Sequence, residues 1–173
     1  MDRTIQHYIE LTNQLIIHLK RIPSESYSEN LSIFDGSTIG EHVRHIYNFP
    51  ECLLLATQTG IVNYDKRTRN KEIENNRDYA IKALQEQLRL ILELTLSEDL
   101  LLNLESIYNE YEIKTNLNRE LQYIIEHTTH HMAILRLGIK FHFPKIKIDE
   151  SFGFAKSTLE YKNNLNSLQN NLK

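Results

Sequence analysis

Arg119-Glu120-Leu121-Gln122-Tyr123-Ile124-Ile125-Glu126-His127-Thr128-Thr129-His130-His131 is the stretch on which the fold turns. Leu117, Leu121, Ile124, Thr128, Leu135 and Gly138 recur at helical spacing and trace one inward seam, predicting a helix that starts near Asn116 or Asn118 and ends at about 142, ahead of Pro144. Residues four apart on a helix lie one turn above each other, so His127 and His131 present two imidazoles to one point. With Ile124 as the centre of the buried face and 100° per residue, His131 falls about 20° from centre, His127 about 60° and His130 about 120°. The first two face inward as half of a metal clamp, and His130 is left at the rim. Glu120, about 40° from centre, also points in; Glu126 belongs to the surface.

A long helix with one apolar stripe must bury that stripe against other elements. Three more such segments precede it. Residues 2–21 carry Ile5, Ile9, Leu15, Ile16 and Leu19 at helical spacing, with Asp2 as a cap and Pro23 as the stop. After a polar connection from Ser24 to Ser37, a second helix is expected over 39–58, with Ile39, Val43, Ile46, Phe49 and Leu53 on one side. Thr38 and Glu41 have capping-box spacing, Ser37 and Glu41 are one residue off it, and Pro50 should kink this helix. Beyond Gly60 a long polar loop, Val62 to Arg69, leads to a third helix over 71–95. The runs Leu100–Tyr108 and Tyr111–Lys114 flank Asn109-Glu110 as a β-hairpin. The expected architecture is all-α: a four-helix bundle with a long loop after the second helix and a small β-hairpin before the fourth. An aromatic tail around Phe152 and Phe154 should pack on it, followed by an Asn-rich mobile end over 163–173.

Composition narrows the function. At 173 residues, 40% hydrophobic and 25% charged, the chain has the make-up of one ordinary soluble domain spanning 1–173. No apolar run approaches the roughly 20 residues of a membrane span, and Met1-Asp2-Arg3-Thr4 opens no signal-peptide segment, so a cytoplasmic location is expected. Cys52 is the single cysteine, which excludes an internal disulfide and a cysteine-based zinc cage; in its apolar run it reads as a buried structural thiol. A net charge of −3 with interleaved signs speaks against nucleic acid as a partner. No Gly-rich phosphate loop and no Gly-x-Ser-x-Gly is present. A small-molecule substrate is the expectation, and a symmetric homodimer the default assembly.

The third metal ligand has two candidates on the second helix. Centred on Ile46, His42 lies about 40° from the middle of the buried face and His45 about 100°, so periodicity prefers His42. Three neutral imidazoles with one position left open form the ligand set of a catalytic zinc site, and Ni²⁺, Fe²⁺ or Mn²⁺ also accept nitrogen. The open position binds water or polarises an oxygen or sulfur.

Thr38-Ile39-Gly40-Glu41-His42-Val43-Arg44-His45-Ile46, followed by Arg119 through Ala133, resembles the DinB-like metal-binding four-helix bundles. The tail Phe152-Gly153-Phe154-Ala155-Lys156-Ser157-Thr158-Leu159 and the loop from Tyr64 to Glu74 resemble one bacterial branch of that family. The resemblance implies a divalent metal held by one histidine of the second helix and the His-x-x-x-His pair of the last. Its spacing matches His45, His127 and His131, with His42 as a neighbour behind the ligands or an alternative ligand. It also implies chemistry of the thiol-dependent transferase or isomerase type, using a low-molecular-weight thiol such as mycothiol or bacillithiol. The leading expectation is therefore a metal-dependent transferase or hydrolase. The alternative is a non-catalytic, metal-stapled bundle that acts as a dimer or through a partner.

Other residues have paired readings. Glu120 is a candidate catalytic base or a group fixing a histidine tautomer, or else the partner of Arg44 or Arg119 in an ion pair. Tyr64, Arg67 and Arg69 are candidates for binding an anionic substrate at the bundle mouth, or else a loop tied to Asp65, Glu72 or Glu74. Tyr47, Tyr79 and Tyr123 read as packing, and His7, His18 and His142 as surface or helix-end residues.

Overall fold

The computed structural model describes residues 3–94 and 100–170. Among them the chain is mostly helical: α1 Arg3–Leu19, the short α2 Ser24–Tyr27, α3 Ile39–Thr59, α4 Lys71–Asn75, α5 Arg77–Leu92, α6 Leu117–His142 and α7 Lys156–Asn170, with a 3₁₀ turn at Ser32–Phe34. The strands β1 Ile61–Val62, β2 Leu101–Leu104 and β3 Ile113–Asn116 make a small sheet. α1 packs on α5 and α6, and α3 packs on the same two, so the four long helices close a ring of contacts around one apolar core. Ile16, Leu53, Leu84 and Ile124 represent the four helices in that core. No helix among the described residues is long and apolar enough to cross a membrane.

Helix ends follow side-chain chemistry. Thr38 accepts the Glu41 N–H at 3.0 Å while the Glu41 carboxylate accepts the Thr38 N–H at 2.9 Å, a reciprocal pair worth about 1 kcal/mol. The cap is Thr38, and Ser37 lies outside it. α3 then runs through Pro50 to Thr59. Gly40 in its first turn allows close docking of α4: a Cβ there would fall 1.8 Å from the Glu74 carbonyl oxygen. Asn116 caps α6 by accepting the Arg119 N–H at 2.8 Å. Asp2, the expected cap of α1, lies outside the described residues.

Two expectations are corrected. The third helix is two pieces, because Asn76 takes an extended conformation (φ −125°) and caps α5 through the Tyr79 N–H; α5 ends at Leu92, short of the expected 95. The hairpin strands are shorter than their apolar runs, with residues 105–112 forming the connection where a tight turn at Asn109-Glu110 was expected, and β1 adds a third strand parallel to β2 (Ile61 opposite Asn103). A two-residue strand leaves no alternation to read. The Asn-rich end is helical over 163–170, within α7, and 171–173 lie outside the described residues.

His18 stands in the last turn of α1, the helix-end position expected for it, and not at the surface. It is buried, with its Nδ1 on the Gln14 carbonyl at 2.7 Å, its Nε2 accepting the Asp149 N–H at 3.1 Å and its ring on Phe152. It pins the segment that follows α6 back onto α1. Gly153, at φ +73°, lets that segment pass over α6, where a Cβ would meet the Ala133 backbone at 2.7 Å.

Candidate metal centre

His45 on α3 and His127 and His131 on α6 converge at the seam between the two helices. One ring nitrogen from each lies within 4.8 Å of the others. Ring centroids are 4.4 Å apart for His45–His131, 4.6 Å for His127–His131 and 5.0 Å for His45–His127. Nitrogens around a tetrahedral ion at 2.0–2.1 Å stand about 3.4 Å apart, so small ring rotations suffice to close the trio. His42 touches this group from one side only, its Nδ1 lying 3.3 Å from the Nδ1 of His131. His130 is exposed, at the rim. The trio thus contains His45, which periodicity ranked second, because side chains that meet between two helices come from the flanks of their faces.

The chemistry of the trio suits a divalent cation. The Nε2 of His127 is buried without a hydrogen-bond partner, which costs about 1–3 kcal/mol when no other group satisfies it. Burial, reinforced by the neighbouring histidines, pushes His45 and His127 down to about 4 and His131 to about 3. All three rings are neutral at pH 7 and present lone pairs. Burial also lowers His42, against the opposing charge of Glu41.

Aromatic rings carry the site outward. Phe49 stacks on His127 at 3.8 Å and on Tyr64 at 4.9 Å, and Tyr123 lies 5.8 Å from His127. These rings wall a cleft of about 310 Å³ between α3, the loop after β1, the hairpin and α6. Arg67, Arg119, Asp65 and Glu105 complete its charged lining. Arg67 sits over the Phe49 ring at 5.2 Å. Arg69 is exposed, at φ +50°, and is absent from the lining of this cleft.

Glu120 is fully buried one helical turn before Tyr123. Its Oε1 accepts from Thr115 Oγ1 (2.6 Å) and Arg119 (2.9 Å), and its Oε2 accepts from the Tyr64 hydroxyl (2.7 Å). Its oxygens are engaged in tying the Tyr64 loop to α6, and seven residues, about 10 Å of helix rise, separate it from His127. The ion pair with Arg119 is the one the sequence allowed, while Arg44 pairs with Glu74. Burial, with Glu120 adding to it, pushes the Tyr64 hydroxyl far up, so it stays a donor. Burial raises the Cys52 thiol to about 11, which leaves it inert as a nucleophile at neutral pH.

Sequence reasoning missed Phe49 and Tyr123 as site walls, although Phe49 is four residues after His45 and Tyr123 four before His127. Glu105 and Tyr108 reach the cleft through the sheet and carried no pattern. Residues 2–137 match the family model described as DinB family, a span that includes all three histidines and the aromatic wall. No curated protein and no solved structure matches the chain.

Proposed function

The chain belongs to the DinB family, and from that footing we propose that it is a four-helix bundle enzyme whose divalent metal is held by His45, His127 and His131. Its reaction is of the thiol-dependent transferase or hydrolase type on a small molecule. The observation that carries this reading is the convergence of three neutral ring nitrogens, one of them buried and partnerless, beside an aromatic cleft. A bound divalent cation supplies Lewis acidity there, lowering the pKa of a water or deprotonating a thiol outright.

The residues around it have separate tasks. His127 would bind through the partnerless Nε2. His42 rests against Nδ1 of His131 and holds that ring's orientation, leaving its Nε2 for the ion. Phe49 packs flat on His127 and keeps water from that side of the ring. Glu120 holds Tyr64, and through it the cleft wall, in place. Because Cys52 is buried and kept protonated, a reacting thiol must come from solution.

A metal-stapled, non-catalytic bundle is the second reading, and the His42–His131 contact favours it if His42 serves as a fourth ligand. Elemental analysis of purified protein, paired with a screen of small thiols against electrophiles, tests the first reading. One divalent metal per chain and thiol consumption that disappears in His131→Ala support it. Full metal content in His131→Ala refutes it.

A further inference from the structure

The charges of the cleft do not cancel in the way its geometry first suggests. Of the two lining arginines, Arg119 is bound to the buried Glu120. Of the two lining acids, Glu105 accepts from Asn63 and Lys66, and Asp65 accepts the Ile107 N–H at 2.9 Å. Arg67 keeps all of its donors unspent: among the described residues it has no ion pair and no hydrogen bond, only the face of Phe49 beneath it. It is half-buried, and its nitrogens are not among the buried polar atoms without a partner, so its five N–H donors stay open to a ligand entering the cleft. Tyr64 cannot take over an anion, because its hydroxyl proton is given to Glu120 and it shows the cleft its ring.

We infer that this cleft is the substrate subsite of the metal centre and takes a small aromatic or apolar monocarboxylate, its carboxylate on the Arg67 fork and its body on Phe49, Tyr64 and Tyr123. The inference rests on the metal-centre reading only in taking the cleft as that centre's approach. A planar carboxylate matches one guanidinium with two parallel hydrogen bonds. A dianionic phosphate fits worse, since Asp65 and Glu105 face the same space and the charge of Arg119 is already paired with Glu120, leaving one unpaired arginine. Phe49 joins the two halves, lying under Arg67 and flat on His127. A ligand anchored at Arg67 therefore extends along the aromatic wall toward the histidines.

Phenylacetate and its neutral isostere phenylacetamide are the probes, titrated by calorimetry into the full chain, once after chelator treatment and once loaded with Co²⁺. Phenylacetate is expected to bind about tenfold or more tightly than the amide in both preparations. Arg67→Gln should reduce phenylacetate to the level of the amide, Arg67→Lys should recover part of the preference, and Lys66→Gln, which removes an exposed charge next door, should leave it intact. Circular dichroism of each variant checks that the fold is kept. Equal binding of the two probes, no binding of either, a preference that survives Arg67→Gln, or a preference found only with Co²⁺, which would place the carboxylate on the metal, overturns the inference. Failure to take up Co²⁺ with the carboxylate preference intact counts against the metal centre alone.

Discussion

Acidifying the metal-loaded protein from pH 7 to pH 5 should cost it almost none of its metal affinity. Imidazole binds a metal only when neutral, so affinity scales with the product of the neutral fractions of the three ligands. For three ordinary histidines titrating at about 6.5, that product falls about ten-thousandfold over this interval. With His45 and His127 held at about 4 and His131 at about 3 by burial, it falls less than about twofold. The metal-free fold responds in the other direction. Unfolded rings take up protons below about pH 6.5 that the folded rings refuse until about pH 4, so the stability present above 6.5 declines through this window as the pH falls. Competition with a chelating dye at pH 7, 6 and 5, with far-ultraviolet circular dichroism confirming a folded protein at each, separates the two effects. A loss of affinity above about a hundredfold by pH 5 would refute the reasoning, because it would mean ligands that titrate like exposed histidines.

Three further outcomes are expected. His45→Ala should abolish stoichiometric metal while His42→Ala lowers affinity about ten- to a hundredfold by freeing the His131 ring and His130→Ala leaves it unchanged; elemental analysis and the same competition assay check the order, and a larger loss in His42→Ala would make His42 the ligand. Gly40→Ala drives a Cβ into the Glu74 carbonyl and should destabilise the fold by about 1–3 kcal/mol, read as a melting temperature lower by about 2–12 °C; an unchanged melting temperature would show that α4 can move away freely. Glu120→Gln replaces one accepting oxygen with an NH₂, so the donors Thr115, Arg119 and Tyr64 are no longer all accepted, and should cost about 1–3 kcal/mol of stability with full metal content retained; unchanged stability with lost turnover would identify Glu120 as the catalytic base instead.

Much of this arrangement is legible in helical spacing. The phase of α6 separates His127 and His131 from His130 and turns Glu120 inward, and all four stand where that phase puts them. The capping box at Thr38 is equally local, needing only two side chains three residues apart. The break at Asn76 is not legible, because an asparagine that caps the next helix looks like any polar residue in a periodic pattern. Nor are β1 and the long connection between β2 and β3, whose pairing depends on partners far along the chain. The burial of His18 at the end of α1 is illegible for a related reason: it depends on Asp149 and Phe152, which arrive from 131 and 134 residues away.

The choice between His42 and His45 shows what a helical wheel measures. Angle from the centre of an apolar face ranks how deeply a residue faces the core, whereas an ion shared by two helices sits at their seam, where flank residues from both sides meet. Two columns then order the site along that seam: His45 and Phe49 on α3, and Tyr123, His127 and His131 on α6, each step one turn. At one end His42 lies edge-on to Phe34 at 4.6 Å and against His131, which covers that side with side chains. At the other end Phe49, Tyr64 and Tyr123 open onto the cleft. The spacing four that pairs the histidines thus also fixes a direction. On the proposed reading, a substrate would approach from the Phe49 and Tyr123 end, past Arg67, with the Phe49 ring between the cleft and His127.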